Sequence, residues 1–177
     1  MACIMHRNIL PRHPLFTIRT EFLSVDERVL LSYQRAKLVM QTYGASNVSY
    51  VSCLPYPHTF PAALSASDIE HCSNKYWSMM TDPILSLDAA MVTILLVHVG
   101  LTIGTLARHL DRRPDLEPLV NRLLRFDTVG IYLLTERGHG LDAFNVETTA
   151  TKTSQGFIIN TPREEASKSV HPINQFS

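Results

Sequence analysis

The sequence is short of most features that announce a function. It holds only three cysteines, Cys3, Cys53 and Cys72. They are widely spaced and form no CxxC pair, which argues against a disulfide scaffold or a cysteine zinc site and suits a reducing compartment. There is no surplus charge either, since sixteen basic and sixteen acidic residues cancel. A nucleic-acid binder needs a basic stripe to neutralise phosphates. The longest basic cluster, Arg108-His109 with Arg112-Arg113, is interrupted by Asp111 and followed by Asp115. It reads as a solvated helix end, and no nucleic-acid partner is expected. The opening MACIMHRNILPRHP has no apolar run long enough for a secretory signal. The final Gln-Phe-Ser does not match the peroxisomal Ser-Lys-Leu address. A GxSxG nucleophile elbow is missing, as is any repeat or low-complexity tract.

What is present belongs to a folded chain. Hydrophobic residues make up 45% and charged residues 18% of the 177 positions, which suits one domain, or one domain and part of another. Ser24-Val-Asp-Glu27 is a capping box and opens a helix over 25–43. Val25, Val29, Tyr33, Ala36 and Met40 lie close to one face of it, with Leu30, Leu31, Leu38 and Val39 widening that face. Gly44 supplies the stop. Pro55, Pro57 and Pro61 mark a long loop over 45–66. Ser67-Asp68 is the expected cap of a short helix running to about Met80. Asp82-Pro83 is expected to open a long apolar helix reaching about Leu110. That helix contains the uncharged run Ala89–Ala107, nineteen residues long, and length alone would let it cross a membrane. His98 near its middle, three threonines and two glycines favour the other site for an all-round apolar helix, a buried core. No membrane is expected. Past the break at Arg113-Pro114-Asp115, DLEPLVNRLLRF predicts one more helix, with Leu116, Leu119, Val120, Leu123 and Leu124 inward.

At Asp127 the hydrophobic period changes from 3.6 to 2. TVGIYLLT reads as a strand, FNVETTATKT as an alternating β-branched strand, and Ser154-Gln155-Gly156 as a turn into FIINT. The expected class is α+β. A helical domain fills 1–126, an incomplete antiparallel β-domain 127–168, and a divergent tail 169–177.

The chemistry-bearing stretch is LLTERGHGLDAF. Glu136, His139 and Asp142 recur at three-residue intervals, but Gly138 and Gly140 disfavour the helix that would align them, and no second His or Cys lies nearby. No metal is expected. Gly138-His139-Gly140 is too short to serve as a phosphate cradle. The local reading is a tight turn leaving a strand, with exposed amides and the Thr135 hydroxyl. Such a turn can bind a polar planar ligand through backbone donors, or bind nothing.

LLTERGHGLDAFNVETTAT followed by GFIINTP resembles the start of the β-domain in the acyl-CoA dehydrogenase and acyl-CoA oxidase family. The oxidase branch has a similar LTE-x-GHG block, then ETTAT and INTP. RTEFLSVDERVLLSYQRAKLV and DPILSLDAAMVTILLVHVGLTIGTL are similar to that family's N-terminal helical domain in its fungal form. The resemblance spans roughly residues 15–168. It implies a FAD enzyme that oxidises a fatty acyl-CoA or related thioester between its α and β carbons. The pathway implied is β-oxidation or fungal secondary-metabolite (toxin) biosynthesis, in the peroxisome or cytoplasm. Thr135 matches the family's flavin-contacting threonine, and Leu134 and Gly138 would flank the isoalloxazine or the acyl pocket. His139, Gly140, Leu141 and Asp142 stand where dehydrogenases carry Ala-Gly-Ser-Asp, so the serine contact to the CoA arm is absent. The catalytic carboxylate of the family belongs to a C-terminal helical bundle, so no catalytic residue is assigned here. The alternative is a catalytically inactive, truncated paralogue acting by association. In either case a homo- or hetero-oligomer is expected, because the apolar helix and an open sheet edge need cover.

Overall fold

The computed structural model describes residues 10–44 and 63–168. The expected loop over 45–66 and the tail 169–177 lie largely or wholly outside them, as do Cys3 and Cys53. Cys72 is a free, exposed thiol. The architecture is α+β, helices followed by a two-stranded antiparallel sheet. The chain forms two compact units, one ending at Ile131 and the other starting at Tyr132.

The first unit opens with α1 (Pro14–Thr17) between two 3-10 turns, Leu10–Arg12 and Thr20–Phe22. Its main early element is α2 (Val25–Gly44). The capping box forms as expected: the Glu27 amide donates to Ser24 Oγ at 3.3 Å, and the Ser24 amide donates to Glu27 Oε2 at 2.8 Å. The buried face of α2 differs from the apolar reading. Leu31, Ala36, Val39 and Met40 are buried, but Val25, Val29, Leu30 and Tyr33 are exposed, and Ser32 and Arg35 turn inward. Their reason is Asp88. Arg35 Nη1 donates to its carboxylate at 2.9 Å and Ser32 Oγ at 2.9 Å, while Arg35 Nε donates to the Leu15 carbonyl at 2.9 Å. A guanidinium with this many acceptors can be buried where a bare charge cannot.

Two helix starts also differ from expectation. Ser65, not Ser67, caps α3 (Ala66–Glu70), with Asp68 reaching back to the Ser65 amide. A second cap, Ser73, starts α4 (Asn74–Met80). The Asp82-Pro83 pair opens only a 3-10 segment, Pro83–Leu87. The long helix begins one cap later, at Asp88, which accepts from the Met91 amide at 3.0 Å. It runs as α5 (Ala89–Leu95), a π-helical stretch Leu96–Ile103, and α6 (Gly104–Ala107). Last comes α7 (Glu117–Leu124), which stops at Phe126 in a left-handed conformation, φ 57°.

The long helix is apolar and long enough to cross a membrane by composition. One face of it is nevertheless buried in this unit: Met91, Leu95, His98, Val99, Ile103 and Ala107. Met91, Leu95, Val99 and Ile103 pack into a core with Val39 and Met40 of α2, Met79 of α4 and Val120 and Leu123 of α7. His98 is fully buried and satisfied. Nε2 donates to the Leu123 carbonyl at 3.0 Å, and Nδ1 accepts from the Gly130 amide at 3.0 Å. Phe126 stands edge-on to the ring at 4.8 Å. Gly130 is needed for this approach, since a Cβ there would lie 2.3 Å from Thr102 Cγ2.

The expected strand over 128–135 does not form. Those residues have no regular structure. An alternating sequence becomes a strand only when a ladder partner is present, and among the described residues the two strands pair with each other. These are β1 (Thr149–Thr153) and β2 (Gly156–Asn160), in antiparallel register with Thr151 opposite Ile158. Ser154-Gln155 makes the turn between them, as the sequence predicts.

Candidate functional site

The second unit is built around Glu136. Its carboxylate is almost wholly buried, at 1% exposure. It accepts from the Glu147 amide at 2.8 Å and the Thr148 amide at 2.9 Å, and Lys168 Nζ lies 3.0 Å away. Removal from water opposes ionisation. The two amides and the lysine outweigh it and hold the carboxyl down at about 2, against an ordinary 4.5. The main chain around it is tied to the segment that follows the hairpin. The Arg137 amide donates to Ser167 O at 3.1 Å, and the Gly138 amide to Glu165 O at 2.7 Å. Thr148 Oγ1 donates to Ala166 O at 2.8 Å.

A second carboxylate, Glu147, carries the outer layer of this network. His139 Nε2 lies 2.6 Å from it, and Arg163 Nε donates to both its oxygens at 2.8 and 3.0 Å. These bonds lower the Glu147 pKa, the Arg163 bond most. Ligand atoms of Glu136, His139 and Glu147 fall within 4.8 Å of one another, close enough to surround a metal ion. Lys168 and Arg163 already neutralise those carboxylates, however, and a divalent ion would have to displace both. The arrangement is an ion-pair clamp. Asp142 takes no part in it, and accepts instead from Asn145 Nδ2 at 2.8 Å.

The residues expected to touch a cofactor sit at the rim of this clamp. Thr135 is exposed, and its hydroxyl makes no hydrogen bond among the described residues. Leu134 is 43% exposed, and its carbonyl accepts from Lys168 Nζ at 3.2 Å. None of the amides of Tyr132–Thr135 donates to another described residue. Gly138 has a structural duty of its own: a Cβ there would stand 2.8 Å from Glu165 Cβ and 3.3 Å from the Glu165 carbonyl oxygen. So Thr135 and Leu134 are available to a ligand, while Gly138 serves the packing of the turn. The sequence reading missed Glu147, Arg163 and Lys168. An LTE-x-GHG block followed by ETT was the available signal, a carboxylate preceding a stretch able to offer amides.

In the first unit a cavity of about 610 Å³ is lined by Leu64, Ala66, Leu110, Val120, Asn121 and Leu124, with charges of both signs from Asp111, Glu117 and Arg125. Its volume suits a small ligand, but no convergent set of polar groups marks a chemistry. No protein family, curated protein or solved structure matches this chain.

Proposed function

We propose that this chain is a FAD-dependent protein of the acyl-CoA dehydrogenase and oxidase type, acting on a fatty acyl-CoA or related acyl thioester. Its two units would then be that family's helical domain and the start of its β-domain. The observation that supports the reading is the open stretch Tyr132–Thr135, with exposed side chains and unpartnered amides, ending at the rigid Glu136 turn. The pyrimidine edge of a flavin alternates donors and acceptors, and its ring faces are apolar. Free amides, one hydroxyl and a flanking leucine are a donor set that fits it.

When bound, FAD would accept a hydride from the thioester β-carbon as the α-proton leaves to a base. Thr135 would fix the edge of the ring through its hydroxyl. Leu134 would cover part of one face, and the Glu136 clamp would hold both residues still. Neither Glu136 nor Glu147 is suited to take the α-proton, because each carboxylate is ionised and committed to cations and amides. The second reading is a catalytically inactive relative that acts by association with an active one.

FAD titrated into the purified chain, followed by flavin fluorescence, is expected to bind saturably and weakly. Thr135→Val should weaken it by a few-fold to roughly tenfold, the equivalent of one hydrogen bond at about 0.5–1.5 kcal/mol. No saturable binding would remove the flavoprotein reading. Binding that is indifferent to Thr135→Val would remove Thr135 from the site. Bleaching of the bound flavin by an acyl-CoA without oxygen separates the enzyme from its inactive counterpart.

A further inference from the structure

We infer that the hairpin is a docking surface for a second copy of this chain, joined antiparallel along the outer edge of β2 about a two-fold axis at Ile158. This does not rest on the flavin reading.

Every residue of β1 and β2 is exposed. Phe157, Ile158 and Ile159 are 66%, 61% and 73% exposed. A lone two-stranded hairpin is marginal in water and gains stability from further strands. The geometry of β2 decides which further strand fits. The two-residue turn makes Thr153 and Gly156 a hydrogen-bonded pair, and bonded pairs alternate with non-bonded ones along an antiparallel ladder. The main-chain groups of Phe157 and Ile159 therefore point away from β1. In a two-fold register about Ile158, Phe157 faces Ile159 of the second copy, and Ile159 faces its Phe157. Those are the residues with outward donors and acceptors, so the main-chain bonds close reciprocally. Ile158 meets its own copy as a non-bonded pair, the closer kind, and apolar side chains line the seam on both faces.

Charge selects this edge over the other. β2 is GFIIN and carries none. The corresponding two-fold pairing of β1, about Thr151, would bring Lys152 diagonal to its own copy, a repulsive placement. Lysine on an edge strand is a common guard against further pairing. The product is thus a closed four-stranded sheet with Lys152 on each outer strand, and growth stops at two chains.

Light scattering of the full chain across a concentration series should approach twice the 19.9 kDa of one chain. Ile158→Lys places like charges across the axis and should hold the chain at single mass, and Ile158→Glu should do the same. Mixing the two variants should restore the double mass, because the axis then holds an opposite pair. The position is largely exposed in the single chain, so either side chain is tolerated without burial. A wild type that stays at single mass, charge variants that remain dimeric, or a mixture that stays at single mass would each overturn the proposal.

Discussion

Asp88, part-buried, and Glu136, buried, are carboxylates that gather donors from distant parts of the chain, yet they stand in opposite settings. Asp88 joins the start of the long helix to Arg35 and Ser32 of α2 at the margin of a large apolar core. Glu136 has almost no core beside it. From Tyr132 onward the buried described residues are Glu136 itself and Ala166, while Leu141, Phe144 and the aromatic and aliphatic side chains of β2 face outward. The first unit is stabilised by removing apolar area from water, with a polar hub that fixes register. The second is organised by the polar hub alone. Hydrophobic burial is cooperative over many side chains, whereas one carboxylate with its donors orders only the segments it touches. Loss of the hub should therefore be severe and global in one unit, local in the other.

The largest effect is expected at Arg35. Arg35→Met keeps most of the side chain's volume but takes the cation from the Asp88 carboxylate, leaving it the Met91 amide and Ser32. Desolvation raises the Asp88 pKa, and the Met91 amide, Arg35 and Ser32 together bring it below the ordinary value. Removing one partner of a buried pair typically costs about 3–5 kcal/mol. Urea unfolding followed by far-UV circular dichroism should show a loss of that size. A loss below about 1 kcal/mol, the worth of an exposed pair, would show that Asp88 reaches water and would weaken the contrast between the units.

Next in size is His98. Burial pushes its pKa below the ordinary 6.5, against the opposing pull of the Leu123 carbonyl. In the neutral ring both nitrogens are used, one as donor and one as acceptor. Protonation would cost the bond from the Gly130 amide. The unfolded chain takes up the proton at about 6.5, so the stability contributed by the neutral ring is complete above that pH and declines as pH falls below it. His98→Phe leaves the Gly130 amide unpaired, at about 1–3 kcal/mol for a buried unsatisfied group, while the Leu123 carbonyl still accepts from the Phe126 amide at 2.8 Å. It should also flatten the slope of stability against pH between 6.5 and the folded pKa. An unchanged slope would assign the pH dependence to other groups.

Parts of this contrast were readable beforehand, and physical locality explains which. The Ser24 capping box and the helix after it depend on neighbours three residues apart, so the letters suffice. The Ser154-Gln155-Gly156 turn was legible for the same reason. Ser67 gave way to Ser65 as a cap, and Asp82 caps the 3-10 segment Pro83–Leu87 while Asp88 caps the long helix. A cap is decided by which residue also closes a reciprocal bond or begins a face that packs, and that depends on tertiary partners. Arg35 turned inward against its charge because Asp88 and the Leu15 carbonyl lie far away in sequence. The strand expected over 128–135 failed because alternation specifies two faces but supplies no partner. Glu136 was visible only as an acidic residue among others. Its donors are backbone amides, which every residue carries and no letter marks.

At Glu136 the expected effect is smaller and confined. Glu136→Gln keeps the shape but loses the charge that draws in the two amides and Lys168. Hydrogen exchange should accelerate at Glu147 and Thr148, with the amides of α2 and α5 unaffected. Acid should reproduce the substitution. The folded carboxyl titrates at about 2 and the ordinary one at 4.5, so the clamp's contribution is full above 4.5 and disappears as pH falls towards 2. Exchange that rises equally in both units would mean the clamp is coupled to the core, contrary to the comparison.

The smallest effect is expected at Thr135, and it tests whether the open stretch is free of structural duty. Its side chain is exposed and makes no hydrogen bond among the described residues. Thr135→Val removes a hydroxyl and keeps a β-branched shape, so no described contact is lost and no cavity forms. Surface changes of this kind usually stay within about 0.5 kcal/mol. Urea unfolding and the exchange rates at Glu147 and Thr148 should match those of the wild type. FAD affinity should then be the only quantity that moves. A stability loss of about 1 kcal/mol or more would mean that the hydroxyl already has a partner within the fold. Thr135 would then be a structural residue like Gly138, and the ligand edge would rest on backbone amides alone.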